Sequence, residues 1–369
     1  MYFFAGGFEC GAVRFFILFI DSMCGMDDVW FMRERTRKSR VVSFACWGST
    51  AACSGLCCCW VFGAWGYWFD LAAGFAAQCV GLTVVVGCVL VALKRWRAGV
   101  ACLMAVCIGA WPLVGGRDLT TVDALIGEQV VMVGSINVYP RNIYWDTDMK
   151  TMMGLGLDVL VVQEVPIELN RGVRMRGYLE GSLMPNWEHR AWVKDEVSPG
   201  FILSKHRLEL IGPDADDSMG KHQLMCIVHH PDGAFVIGLM HPSSPRTSEK
   251  WREGNRAVLA HVEQVERVLE STGMPMIIGA DLNAARGQYR ARRLSGSSLS
   301  PSKPLMVFEG GSFPAGRPGM MQIQLDDIWT SDDVRVVSWG MFDLMGSDHR
   351  MVVAGLSLGR VSTGEFGSD

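Results

Sequence analysis

The sequence predicts an α/β layered sandwich carried behind three membrane-spanning helices, and three observations lead there. Uncharged stretches occupy 41–69, 71–93 and 98–116. Short apolar runs rich in Val, Ile and Leu fill the rest of the chain, around one long amphipathic segment. Most of those runs end in an Asp, Glu, Asn or His.

The shortest uncharged stretch has 19 residues, which as a helix is about 28 Å, close to a bilayer's hydrocarbon thickness. Arg33, Arg35, Arg37, Lys38 and Arg40 precede the first stretch, and Lys94, Arg95 and Arg97 join the second to the third. Only Asp70 separates the first two. Basic flanks stay on the cytoplasmic side. The expected order is a cytoplasmic basic segment (1–40), a three-helix membrane anchor (41–116) and a linker (117–129). An extracytoplasmic domain (130–358, periplasmic in a Gram-negative cell) and a tail (359–369) follow. Within 1–40 the apolar run 15–20 is too short to span, and no small-residue cleavage site follows it. Met1, Met26 and Met32 are the candidate starts.

Eleven of the 12 cysteines lie at or before Cys107. Consecutive Cys57, Cys58 and Cys59 on a helix point in three directions, so they read as small packing residues and not as one tetrahedral metal site. Residues 1–118 hold 10 of the 34 basic and 7 of the 38 acidic residues, which leaves the outer part 24 basic against 31 acidic, about −7. Bulk DNA binding draws its affinity from phosphate neutralisation by basic groups. That balance counts against it.

From 130 the elements follow in order. Strands are expected at 130–138, 158–165, 201–204, 224–229 and 234–241. A helix is expected where Trp251, Val258, Leu259, Val262, Val265 and Leu269 recur with charges between them. Further strands are expected at 275–279, 325–330, 334–339 and 351–356. The Gly-, Ser- and Pro-rich stretch 294–320 is expected to be a loop at a site's rim. No internal repeat is visible.

The polar groups at the strand ends suit metal-assisted phosphate chemistry. Carboxylates are hard ligands for Mg²⁺, amides can donate to phosphate oxygens, and an Asp–His pair can manage a proton. In order they are Asn137, Gln163-Glu164, His241, Gly279-Ala280-Asp281-Leu282-Asn283, Leu325-Asp326-Asp327 and Gly346-Ser347-Asp348-His349. Taken singly, each has a plainer reading. Asn137 could cap a turn, Glu164 could be ion-paired, and His241 could be a satisfied core histidine.

The ordered series resembles the endonuclease/exonuclease/phosphatase superfamily over about 130–358, and within it the bacterial branch with N-terminal membrane spans. The resemblance implies a four-layer α/β/β/α sandwich and a Mg²⁺- or Mn²⁺-dependent phosphoester hydrolase, with the lipid bilayer and a nucleic acid, phospholipid headgroup or other phosphodiester as partners. It implies Asn137, Glu164 and Asp348 as metal residues. It further implies Asp281 as activator of water, Asn283 and His241 on the phosphate, and Asp326 as holder of His349. Ala280 stands where the family carries Gly, and Asp327 where it carries a neutral or aromatic residue; strand alternation is expected to turn Asp327 away. The cluster Arg286, Arg290, Arg292 and Arg293 is expected to be a solvated rim. A catalytically silent phosphate-binding scaffold of the same fold is the competing expectation.

Overall fold

A computed structural model of the chain describes residues 37–113, 130–166, 187–193, 200–211, 223–304 and 310–358. The expected linker at 117–129, the tail at 359–369 and the three candidate starts lie outside the described residues. The chain divides into two compact units, Met1–Leu113 and Val114–Asp369.

In the first unit, α1 (Arg37–Phe62) runs into a 3₁₀ turn (Gly63–Trp65), followed by α2 (Tyr67–Ala73), α3 (Ala76–Ala92) and α4 (Trp96–Ala110). This differs from three uninterrupted spans. Among the described residues, Val42–Trp65 is the one helix long and apolar enough to cross a membrane by itself, while α2 and α3 reach that length only together and are bent by 68° at their break. The 15-residue α4 extends only about 22 Å. The breaks fall at Gly66, which is fully extended, and at Gly74-Phe75; uniform hydropathy hides such interruptions. Asp70, expected between helices, is buried within α2. Small residues let these helices touch: a Cβ on Gly109 would lie 2.8 Å from the Cys57 Cβ, and Cys57 and Cys102 are buried. The cysteines serve packing here.

The second unit holds two six-stranded sheets. The first has the order β11 (Arg335–Phe342), β12 (Met351–Ser357), β1 (Val131–Asn137), β2 (Val159–Gln163), β4 (Phe201–Ser204), β3 (His189–Trp192). The second has the order β5 (Leu208–Leu210), β6 (Gln223–His230), β7 (Gly233–Met240), β8 (Met276–Asp281), β10 (Asp326–Ser331), β9 (Leu299–Pro301). Each sheet has one parallel pair at its centre, β1 with β2 and β7 with β8, and antiparallel neighbours on both sides. Parallel neighbours need a crossover. These are α5 (Trp145–Gly154) and α6 (Ser248–Thr272).

Burial sorts the layers. Val133, Val161, Ile237, Ile277, Ile328 and Val352 form the core between the sheets. Trp145, Met149 and Met152 of α5 pack with Ile136, Leu160 and Phe201 on the first sheet's outer face. Val258 and Val265 of α6, with Ala291 and Leu294 of α7 (Tyr289–Ser295), cover the second. This is the four-layer α/β/β/α order expected from the sequence. The two sheets repeat the same strand pattern, a likeness carried by hydrogen bonding and not by residue identity. Three-residue β5 and β9, four-residue β3 and the Asp- and Thr-containing α5 were not legible, because short edge strands lack a periodic signal.

His261 of α6 is fully buried, and neither ring nitrogen has a hydrogen-bond partner. Burial pulls its pKa down to about 3. The unfolded chain binds a proton there near pH 6.5 and the folded chain does not. Stability is therefore unaffected above that pH and falls as pH drops toward 3, by about 1.4 kcal/mol per pH unit. A His261→Leu variant is expected to show a shallower loss of stability between pH 6.5 and 4.5, measured by denaturant titration; parallel slopes would refute this origin.

Candidate active site

The parallel pairs decide where the polar side chains meet. In each, the strands run the same way, so Asn137 and Gln163 end one pair in register while Met240 and Ala280 end the other. The residues at and just beyond those ends are Asn137, Glu164, His241 and Asp281. Alternation turns Asn137 and Asp281 toward the inter-sheet space, in line with core residues Val133 and Ile277. The sheets can come this close because residue 279 is glycine. A Cβ there would stand 2.8 Å from the Val161 Cβ and 2.9 Å from the Ser135 Oγ.

Asp281 sits at the centre and is fully enclosed. Its Oδ1 accepts from its own turn, Asn283 N at 2.8 Å, and its Oδ2 from Asn137 Nδ2 at 2.9 Å. The Asn137 Oδ1 accepts from Tyr139 N at 3.1 Å, which fixes the amide orientation. Asn137 therefore presents its NH₂ group to Asp281, and its oxygen is engaged in a turn.

His241 Nε2 lies 3.2 Å from Glu164 Oε1 and 3.6 Å from Asp281 Oδ2. Burial opposes its protonation, but the Glu164 hydrogen bond and the two carboxylate charges outweigh it, and its pKa rises. Glu164 is correspondingly lowered: burial would raise it, and the His241 contact overcomes that. Asn283 Nδ2 donates to Pro242 O at 3.1 Å and stands 3.2 Å from His241 Nε2. Glu164 and Asn283 both have left-handed backbone, at φ 53 and φ 48. Asn tolerates this and Glu does so rarely. The strained backbone is thus at Glu164, whose carboxylate meets His241.

On the far side, His349 Nδ1 meets Asp326 Oδ2 at 2.7 Å. His349 is pushed up to about 10: burial opposes this, and the charges of Asp326 and then Asp281 prevail. Burial pushes the Asp326 carboxyl up as well, against the His349 charge. β10 pairs with β8 so that Asp326 faces Asp281 across the strands. Asp327 takes the opposite face, where Ser302 Oγ (3.1 Å) and Arg286 Nη2 (3.4 Å) meet it. Asp348 reaches solvent at the mouth. Partial burial raises its pKa, as do the Glu164 and Asp281 charges, against His349.

Among the described residues, Asp281, Asp326 and His349 are the group of three whose ligand-type atoms lie within 4.8 Å of one another. Glu164 and Asp348 stand apart from that group. The carboxylates gathered here, Glu164, Asp281, Asp326 and Asp348, are hard oxygen donors of the kind a divalent cation takes.

Two features were not foreseen. Asp148 of α5, buried, accepts from Asn142 Nδ2 (2.8 Å), Met345 N (2.8 Å) and Gly346 N (3.0 Å). It anchors the loop leading into Ser347-Asp348-His349. The arginine cluster is not a solvated rim: Arg293 is exposed, but Arg290 is fully buried and Arg286 and Arg292 partly so. A run of arginines carries no sequence signal for burial, because the acceptors of Arg286 and Arg290, mostly backbone carbonyls, lie on remote segments.

Neither a protein-family model nor a curated protein matches the chain. Solved structures of endonuclease/exonuclease/phosphatase proteins are similar to it. The human Nocturnin catalytic domain is 14% identical, with 62% of this chain and 94% of that chain covered and a TM-score of 0.45. An endonuclease/exonuclease/phosphatase from Bacteroides vulgatus is 14% identical, with 63% and 100% covered and a TM-score of 0.48. A mannosyl-6-phosphatase from Bacteroides thetaiotaomicron is 13% identical, with 61% and 99% covered and a TM-score of 0.46. The likeness is one of fold.

Gly346 faces the Asn142 amide so closely that a Cβ would overlap it. Gly346→Ala is expected to cost about 1–3 kcal/mol of stability by overpacking and to displace the Asp348 loop. Unchanged thermal stability would show that this loop is free to shift.

Proposed function

We propose that this chain is a divalent-metal-dependent phosphoester hydrolase held at a membrane, acting on a phosphodiester that carries an apolar group. The observation that carries the reading is the convergence of Asp281, Glu164, His241, Asn283 and the Asp326–His349 pair at the ends of two parallel strand pairs. Motif order in the sequence and the phosphoester-directed names of similar structures support the hydrolase class.

Glu164 and Asp348 would hold Mg²⁺ or Mn²⁺. When bound, such an ion supplies charge neutralisation at phosphate and a lowered pKa for bound water. The chain's own groups do the rest. Asp281 Oδ2, oriented by the Asn137 amide, accepts the proton of the attacking water. His241 and the His349 imidazolium present N–H donors where negative charge builds on the phosphoryl oxygens. Asp326 keeps His349 charged and oriented through Nδ1, leaving Nε2–H for substrate. The enclosure of Asp281 excludes bulk water, which strengthens each of these charges.

The mouth supports an amphiphilic substrate. Seven large apolar side chains are exposed among the described residues of the second unit, and six of them lie on three segments next to the site. These are Ile143 and Tyr144, Met320 and Met321, and Phe342 and Met345. The segments are tied to the site and to one another. Met345 N donates to Asp148, Ala315 N donates to Asp348 O, and the Phe313 ring lies tilted against His349 with centroids 4.8 Å apart. Concentrated apolar exposure marks an interaction surface. The membrane-crossing length of Val42–Trp65 and the net negative charge favour a lipid phosphodiester over nucleic acid. On this reading the second unit stands outside the cytoplasm.

Two outcomes are expected with the full chain in detergent micelles. Hydrolysis of bis(p-nitrophenyl) phosphate should require Mg²⁺ or Mn²⁺, stop with chelator and fall about 10²–10⁴-fold in Asp281→Ala; metal-independent turnover would refute the mechanism. Met320→Ser with Met345→Ser should slow cleavage of a phospholipid in mixed micelles about tenfold while sparing the soluble substrate. An equal effect on both, or preference for a short oligonucleotide, would refute the substrate class.

A further inference from the structure

We infer that Arg290 is a positioning residue that sets the spacing of His241 and Asn283, a role that rests on the hydrolase reading above. Its side chain is among the largest fully buried ones and lies 1% exposed on α7. The guanidinium distributes its donors over three chain segments. Nη1 donates to Ser243 O at 2.8 Å and Leu282 O at 3.2 Å. Nε donates to Asn255 Oδ1 at 3.0 Å, and Nη2 reaches Lys250 O and Trp251 O, each at 3.4 Å.

Two of those acceptors belong to the catalytic loops. Ser243 follows His241 by two residues, after β7. Leu282 lies between Asp281 and Asn283, after β8. One nitrogen, Nη1, therefore holds the backbone of both loops. The remaining donors pin the same group to the first turns of α6, so the loops are referenced to a rigid element. Gly254 makes the space, since a Cβ there would overlap the guanidinium. Asn283 Nδ2 completes the crosslink from the site side through Pro242 O. Arg290 touches neither the His241 nor the Asn283 side chain.

A planar fork reaches the two loop carbonyls through Nη1 and the α6 acceptors through Nε and Nη2 at once, which the single nitrogen of an ammonium cannot. Arg290→Lys keeps the charge and loses the span. Misplacing reacting groups by about 1 Å costs on the order of 10²-fold in rate. His241 and Asn283 act on the phosphoryl oxygens, whereas the expected cation ligands Glu164 and Asp348 lie on loops that Arg290 does not bond. The rate step should therefore suffer alone.

The test compares wild type, Arg290→Lys and Gly254→Ala, all as full chains in detergent, with bis(p-nitrophenyl) phosphate and Mn²⁺. Both variants are expected to lose about 10- to 100-fold in kcat, with KM and the Mn²⁺ midpoint within about threefold of wild type. The His241 ring resonances should move in both without substrate or metal. Gly254→Ala crowds the guanidinium without changing its chemistry, so it serves if Arg290→Lys does not fold. Wild-type kcat in a folded variant, unmoved His241 resonances, or equal losses in kcat and metal midpoint would overturn the inference. An inactive wild type whose variants still shift His241 would instead remove the hydrolase reading and leave the positioning intact.

Discussion

Close approach of the two sheets at Gly279 is the constraint on which the site depends. Without a side chain there, Val161 and Ser135 of the first sheet meet the backbone of the second, and Gln163 Nε2 reaches both Ser135 Oγ (3.2 Å) and Gly279 O (3.4 Å). Directly above, the strand ends deliver Asn137 from one sheet and Asp281 from the other to a 2.9 Å hydrogen bond. A wider gap would leave Asp281 buried without its amide partner, at the cost of an unsatisfied charge. Packing and chemistry meet at one glycine.

Around that contact the charges are arranged in two linked sets. Glu164 with His241, and Asp326 with His349, each place an imidazole beside a carboxylate, and Asp281 lies between them. Both histidines are shifted toward the protonated form by their surroundings, His349 up to about 10. Neighbouring carboxylates would repel one another if the imidazoles were neutral. Buried struts stand behind each set, Asp148 beneath the Ser347-Asp348-His349 loop and Arg290 beneath the His241 and Asn283 loops. Each satisfies backbone groups at the base of a loop, which is how a flexible connection becomes a rigid platform.

The first unit has a different logic. Its helices are apolar around most of their circumference and meet through glycine, alanine and cysteine. That composition gives close backbone contact without a polar core. Among its described residues the uninterrupted stretch of membrane-crossing length is Val42–Trp65; Gly66 and Gly74 interrupt what composition presents as continuous.

The sequence by itself determined the elements whose pattern is local. The central strands from β1 to β12, the long helix α6 and the order of Asn137, Glu164, His241, Asp281, Asn283, Asp326, Asp348 and His349 were all legible. Strand alternation likewise places Asp326 and Asp327 on opposite faces. Tertiary structure decided what depends on distant partners. It gave the Asn137 amide to Asp281 and buried Arg290 among carbonyls that no local pattern encodes. It also broke the second apolar stretch by a bend of 68°. Periodicity reports which face of an element is buried, whereas the identity of the group waiting on that face is settled only when remote segments pack.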